Sequence, residues 1–119
     1  MKDSNKNPVV IKSKNFAVRI IRLRKYMVLR YKEYILSDQL LRSGTSIGAN
    51  VKEAVRGQSK ADFGAKMNIA LKEASETEYW LEILYDTGYI TKVQFDSIIK
   101  DCREIIKLLT SIVRSTFRK

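Results

Sequence analysis

The stretch "LLRSGTSIGAN", residues 40–50, decides how this chain is read. Its surroundings have helical periodicity, yet it holds two glycines, two serines, a threonine and an asparagine. A glycine inside a helix costs about 1 kcal/mol relative to alanine. At ~100° per residue, Leu40, Leu41, Gly44, Ile47, Gly48, Val51 and Val55 share one face. Gly44 and Gly48 therefore lie within the apolar stripe. A phosphate-binding P-loop would end in Gly-Lys-Ser/Thr, and this segment does not. The stretch is read as a helix thinned on one face to let a neighbour approach closely. Gly64, Ala65, Ala70 and Ala74, further along the chain, make the third helix the expected neighbour.

Working outward, residues 1–13 read as a flexible tail, with Pro8 stopping any early helix. Residues 14–119 form the folded part. Phe16, Ile20, Leu23, Met27, Tyr31 and Tyr34 recur every three or four positions and predict a helix over 15–35. Ser37 as N-cap and Gly57 beyond the end bracket a helix over 38–56. Ser59 and Gly88 bracket one over 60–87. Thr91 and Gln94 form a capping-box pattern that opens the last, over 92–117. There Phe95, Ile98, Cys102, Ile105, Leu109 and Ile112 alternate steps of three and four. Short connections make successive helices antiparallel neighbours. The expected fold class is all-α, an antiparallel up-down-up-down four-helix bundle.

The chain has 119 residues, 45% of them hydrophobic, and a net charge of +10. Basic residues crowd both ends; in residues 1–36 only Asp3 and Glu33 oppose them. No run is long enough to span a membrane, and no membrane partner is expected. A lone cysteine excludes an internal disulfide and fits a reducing cytoplasm.

There is no histidine. The commonest general base and the Glu-x-x-His ligands of di-iron bundles are therefore missing. Glu73, Glu76, Glu78 and Glu82 read as solvated or salt-bridged rather than metal-binding. Cys102 lies on an apolar stripe and reads as a packing residue. No catalytic residue, metal or cofactor is expected. Ser43, Ser46, Asn50 and Glu53 form a polar stripe beside the glycines, either a hydrogen-bonded seam or a binding site. Arg42, Lys52 and Arg56 follow on the next face and can hold phosphates or stand solvated. On the first helix, Arg19, Arg22, Lys25, Arg30 and Lys32 point away from the core stripe, interleaved with Val18, Tyr26 and Leu29. Such a face suits phosphates and a stacked base. It suits a subunit interface equally.

"QLLRSGTSIGANVKEA" (39–54), "QSKADFGAKMNIALKEASETEYWL" (58–81) and "DTGYI" (86–90) resemble a family known as the four-helix-bundle proteins. That family includes proteins encoded in intervening sequences of bacterial large-subunit ribosomal RNA genes. The accessory protein of diversity-generating retroelements looks related. The resemblance implies a four-helix bundle, often a ring-like homopentamer, and no catalysis. By analogy with the retroelement proteins it implies binding to RNA or DNA, and to a reverse transcriptase where a retroelement is present. The expected function is a basic, nucleic-acid-binding homo-oligomer; the alternative is a structural or protein-interaction adaptor.

Overall fold

The computed structural model describes residues 6–118. Four helices, α1 (Pro8–Tyr31), α2 (Ile35–Val55), α3 (Lys60–Asp86) and α4 (Lys92–Phe117), run up and down in a bundle measuring 46 × 23 × 22 Å. Among the described residues there is no strand. Successive helices pack along their lengths, whereas α1 and α4 meet more sparingly. The core is built from the expected stripes, Phe16, Ile20 and Met27, Leu40, Ile47 and Val51, and Ile98, Cys102, Ile105 and Leu109, joined by Met67, Leu81 and Leu84 of α3.

Three boundaries differ by three residues or more from the sequence reading: both ends of α1, and the start of α2, which begins at Ile35 rather than 38. The first helix begins at Pro8, not near residue 15, so residues 8–13 of the expected tail are helical. Pro8 occupies the first turn, where its missing N–H breaks no hydrogen bond. Asn7 caps it by accepting from the Val9 N–H at 3.1 Å. Residues 1–5 of the expected tail lie outside the described residues. The helix ends at Tyr31, because Lys32 adopts a left-handed backbone with φ 52° and its N–H returns to the Val28 carbonyl. Tyr34 consequently leaves the α1 stripe and is exposed.

Ser37 is not the cap of α2. That role falls to the Glu33 carboxylate, which accepts from the N–H groups of Ile35, Leu36 and Ser37 at 3.0, 3.0 and 2.8 Å. Negative charge is favoured at a helix N-terminus. The Ser37 hydroxyl is buried and donates to the Glu33 carbonyl. Elsewhere the caps follow the sequence. Ser59 accepts from the Asp62 N–H, and Thr91 with Gln94 forms a complete capping box. Gly88, at φ +84°, lets α3 end in a Schellman turn, with Tyr89 N–H bonded to the Leu84 carbonyl and Gly88 N–H to that of Tyr85.

The close approach at the glycines is made by α1, not by α3 as expected. A Cβ on Gly44 would lie 2.8 Å from both γ-carbons of Ile20, and one on Gly48 would lie 3.3 Å from the Ser13 carbonyl oxygen. Ile20 is fully buried, so it has nowhere to retreat. Gly64 faces the end of α4, where a Cβ would meet Phe117 and Thr116. Ala70 and Ala74 are buried too, and Ala74 places its carbonyl 3.5 Å from Cys102 Sγ. The small residues of α3 therefore serve α4, while those of α2 serve α1.

Two outcomes follow from this packing. Gly44→Ala should lose about 1–3 kcal/mol by overpacking, less about 1 kcal/mol returned by helix propensity. Ile20→Ala alone should cost about 2–5 kcal/mol. In the double variant, denaturant unfolding should show a loss clearly smaller than the sum; strict additivity would contradict the Ile20–Gly44 contact.

Burial pushes the Cys102 thiol up to about 12, with the Glu78 carboxylate adding to the effect. In the unfolded chain the thiol ionises near its ordinary 9.0. Above that pH the unfolded state holds fewer protons than the folded one, so stability must fall as pH rises toward 12. Cys102→Ala should flatten this part of the stability–pH curve, read by denaturant unfolding. An identical slope in both proteins would contradict burial as the cause.

Candidate nucleic-acid interface

The polar stripe of α2 is a seam with α3. Buried Ser43 and Thr77 place their hydroxyl oxygens 2.9 Å apart, inside the helix pair. At its edge Arg42 pairs with Glu73 at 3.2 Å and with Glu76. The Trp80 indole N–H also donates to Glu76, at 2.9 Å. That bond, with Arg42, holds the Glu76 carboxyl below its ordinary range against partial desolvation. Glu53 pairs with Lys66 at 3.1 Å. Ser46 and Asn50 bond back to α2, donating to the Arg42 and Ser46 carbonyls. Ser43 and Glu53 thus join the two helices, whereas Ser46 and Asn50 bond only within α2.

Arg42, expected among the phosphate-binding cations, is paired with two α3 carboxylates. Arg19 is paired in the same way. Its guanidinium reaches across to α4, 2.7 Å from Asp101 and 2.9 Å from Ser97 Oγ. Sequence position put Arg19 on the outer face of α1, but the neighbouring helix lies within reach of its long side chain. Tyr26 is only half exposed and packs against the core, so it is no free stacking surface.

Most carboxylates of the described residues are paired with a cation. Glu78 and Glu82 take Arg103 at 2.9 and 3.5 Å. Asp38 takes Arg24, Asp96 takes Lys92, and Glu104 takes Lys12. Among the described residues no group of three or more Cys, Asp or Glu side chains converges as a metal site would require.

Several cations stand exposed outside these pairs. Arg22, Lys25, Arg30 and Lys32 stand at or near the surface of α1, and Lys52 and Arg56 stand at the C-terminal end of α2. Arg22 also lines a shallow groove between α1 and α4, with Leu23, Tyr26, Gln94 and Ile98. The sequence reading missed a second basic row, Lys100, Lys107 and Arg114 on α4 with Arg118 just past its end, all exposed. Its signal was available: steps of seven, seven and four put these residues on one helical face. Lys107, Arg114 and Arg118 share a concave surface with Ser111 and Ser115. Arg22 lies level with the start of α4, beside Gln94 and Ile98, whereas Lys107, Arg114 and Arg118 lie toward its far end. No described helix is long and apolar enough to cross a membrane.

Comparison with known proteins follows the same lines. Over residues 5–111 the chain matches a family described as 23S rRNA-intervening sequence protein. It is also similar to a crystallised protein of unknown function from the S23 ribosomal protein family of Bacteroides thetaiotaomicron. The two share 59% identity and superpose with a TM-score of 0.88, covering 89% of this chain and 98% of that one. No curated protein matches significantly. The match takes in α1, α2, α3 and most of α4, with the glycine-bearing segment and the α2–α3 seam: the chain belongs to the 23S rRNA-intervening sequence protein family.

Proposed function

We propose that this chain is a non-enzymatic, nucleic-acid-binding protein, with RNA its first ligand, acting in the cytoplasm as a homo-oligomer. One observation carries the reading: most carboxylates are paired with cations, while Arg22, Lys25, Arg30 and Lys32 of α1 and its end, and Lys100, Lys107, Arg114 and Arg118 of α4 and its end, face solvent. With a net charge of +10, cations outnumber the carboxylates that could pair with them. Such a surface attracts polyphosphate chains and releases their counterions. Nothing in it resembles a module that reads base edges, so sequence preference is slight. The ribosomal RNA context in the family's description favours RNA over DNA as the first ligand to try.

Self-association is assigned to α3. Its outer face carries Ala61, Ala65, Ile69, Lys72, Tyr79 and Ile83, with Ile69 and Tyr79 exposed. This face has little charge, as the centre of a protein interface does, and it leaves α1 and α4 open. A closed ring is the simplest assembly, and five subunits is the number the family resemblance implies. A second reading, a protein-interaction adaptor without nucleic acid, draws on the exposed Leu29, Ile35 and Val93.

Binding of labelled RNA should weaken steeply with salt, with a log–log slope of about −0.7 per single-strand phosphate contact. The triple change Arg22→Glu, Lys25→Glu and Arg30→Glu should lower affinity at least about tenfold at ~50 mM salt and flatten the slope by about 2. Helical circular dichroism should be unchanged. Absence of binding to RNA and DNA by the wild-type protein would overturn the reading.

Light scattering should give a multiple of the 13.8 kDa chain mass. Ile69→Glu with Tyr79→Glu should reduce that mass without touching the basic rows. A monomer mass for the wild type at micromolar concentration would exclude the ring.

A further inference from the structure

The turn between α1 and α2 reads Arg30-Tyr31-Lys32-Glu33-Tyr34-Ile35, and its exposed aromatics have no part in the bundle core. Tyr34 is 52% exposed, and its side chain makes no capping bond. Tyr31 is held edge-on by Tyr89 at 5.2 Å and by Tyr26 at 6.4 Å between ring centroids, so its ring is fixed while 39% of the residue stays accessible. The Arg30 guanidinium lies 5.3 Å from the Tyr31 centroid. Lys32, in its left-handed conformation, is exposed between the two tyrosines. The one acid of the turn, Glu33, has its carboxylate occupied by three N–H groups of α2. Its charge is set against the positive end of that helix, so the turn presents cations outward.

We propose that this turn is a stacking platform for unpaired bases, and that the protein accordingly prefers single-stranded nucleic acid to duplex. The proposal rests on the nucleic-acid reading above and names the form of ligand and the residues that select it. Aromatic rings beside cations bind single strands because every unpaired base offers a π-face while the cations hold its phosphates. In a duplex those faces are already stacked on one another, and only the phosphates remain. A protein partner is the weaker fit, since it would have to bring acidic groups to Arg30 and Lys32 as well as cover the rings. Leu29 and Ile35, both largely exposed, flank the tyrosines and extend the apolar surface available to a base or ribose.

The test uses the full chain, a short labelled oligouridylate and an RNA duplex of the same length, read by fluorescence anisotropy. The wild-type protein should bind the single strand more tightly. Tyr34→Ala should weaken single-strand binding by roughly fivefold to a hundredfold, as loss of one stacked base does, and leave duplex binding unchanged. Tyr34→Phe, which keeps the ring, should retain wild-type affinity. Glu33 supplies the α2 cap, so Tyr34→Ala should keep its helical circular dichroism. Equal wild-type affinity for both RNAs would overturn the proposal. So would an unchanged Tyr34→Ala affinity where the triple charge reversal still weakens binding; that result leaves the phosphate reading intact. Wild-type failure to bind either RNA would overturn both. A drop in oligomer mass on Tyr34→Ala would reassign the turn to a subunit contact and overturn it as well.

Discussion

Pairing of carboxylates with cations on neighbouring helices sets the character of the whole surface. Arg42 with Glu73 and Glu76, Arg19 with Asp101, Arg103 with Glu78 and Glu82, and Lys66 with Glu53 all cross between helices. Exposed ion pairs of this kind are worth about 0–1 kcal/mol each, far less than the burial of Phe16, Ile20, Leu81 or Leu109, at about 1.5–3 kcal/mol apiece. Their main effect is on charge placement. Each carboxylate held between helices is one that does not offset a lysine or arginine elsewhere, so the outer rows of α1 and α4 keep their positive field.

That placement depends on how closely the helices approach. Gly44 and Gly48 let α1 settle against α2 at the Ile20 side chain and the Ser13 backbone, and Gly64 does the same for the end of α4. With α1 held on α2, its Arg19 reaches α4 while Arg22 and Lys25 stay outside. The thin face of α2 therefore fixes the rotation of α1, and that rotation decides which of its cations are paired and which are available. The α2–α3 seam of Ser43 and Thr77 fixes the other side of α2 with a buried polar contact. Such a contact has a defined geometry that apolar packing alone lacks.

Much of this was legible in the sequence. The four helices, the caps at Ser59 and Thr91, the end at Gly88 and the core stripes follow from periodicity and turn chemistry. The start of α1 was not, because Pro8 as a helix breaker and Pro8 as a first-turn residue look alike until the Asn7 cap is seen. The α1–α2 turn was hidden because its left-handed residue is Lys32 rather than a glycine, and its cap is the side chain of Glu33 rather than Ser37. Gly44 and Gly48 announced a thin helix face but not the identity of the neighbour. The site was half legible. Excess charge on α1 showed directly, yet Arg19 and Asp101 are 82 positions apart, and no local pattern reveals that they pair. The α4 row was readable from its spacing but was overshadowed by the apolar stripe beside it.

The account's central claim is that nucleic acid meets the cations left outside this pairing. Lysine acylation footprinting of the intact protein, with and without oligouridylate, tests it residue by residue. RNA should protect Lys25 and Lys32 on the α1 side and Lys107 on α4, while Lys72 on the outer face of α3 and Lys66, held by Glu53, keep their reactivity. Protection at Lys72 with Lys25 and Lys32 unchanged would contradict the account.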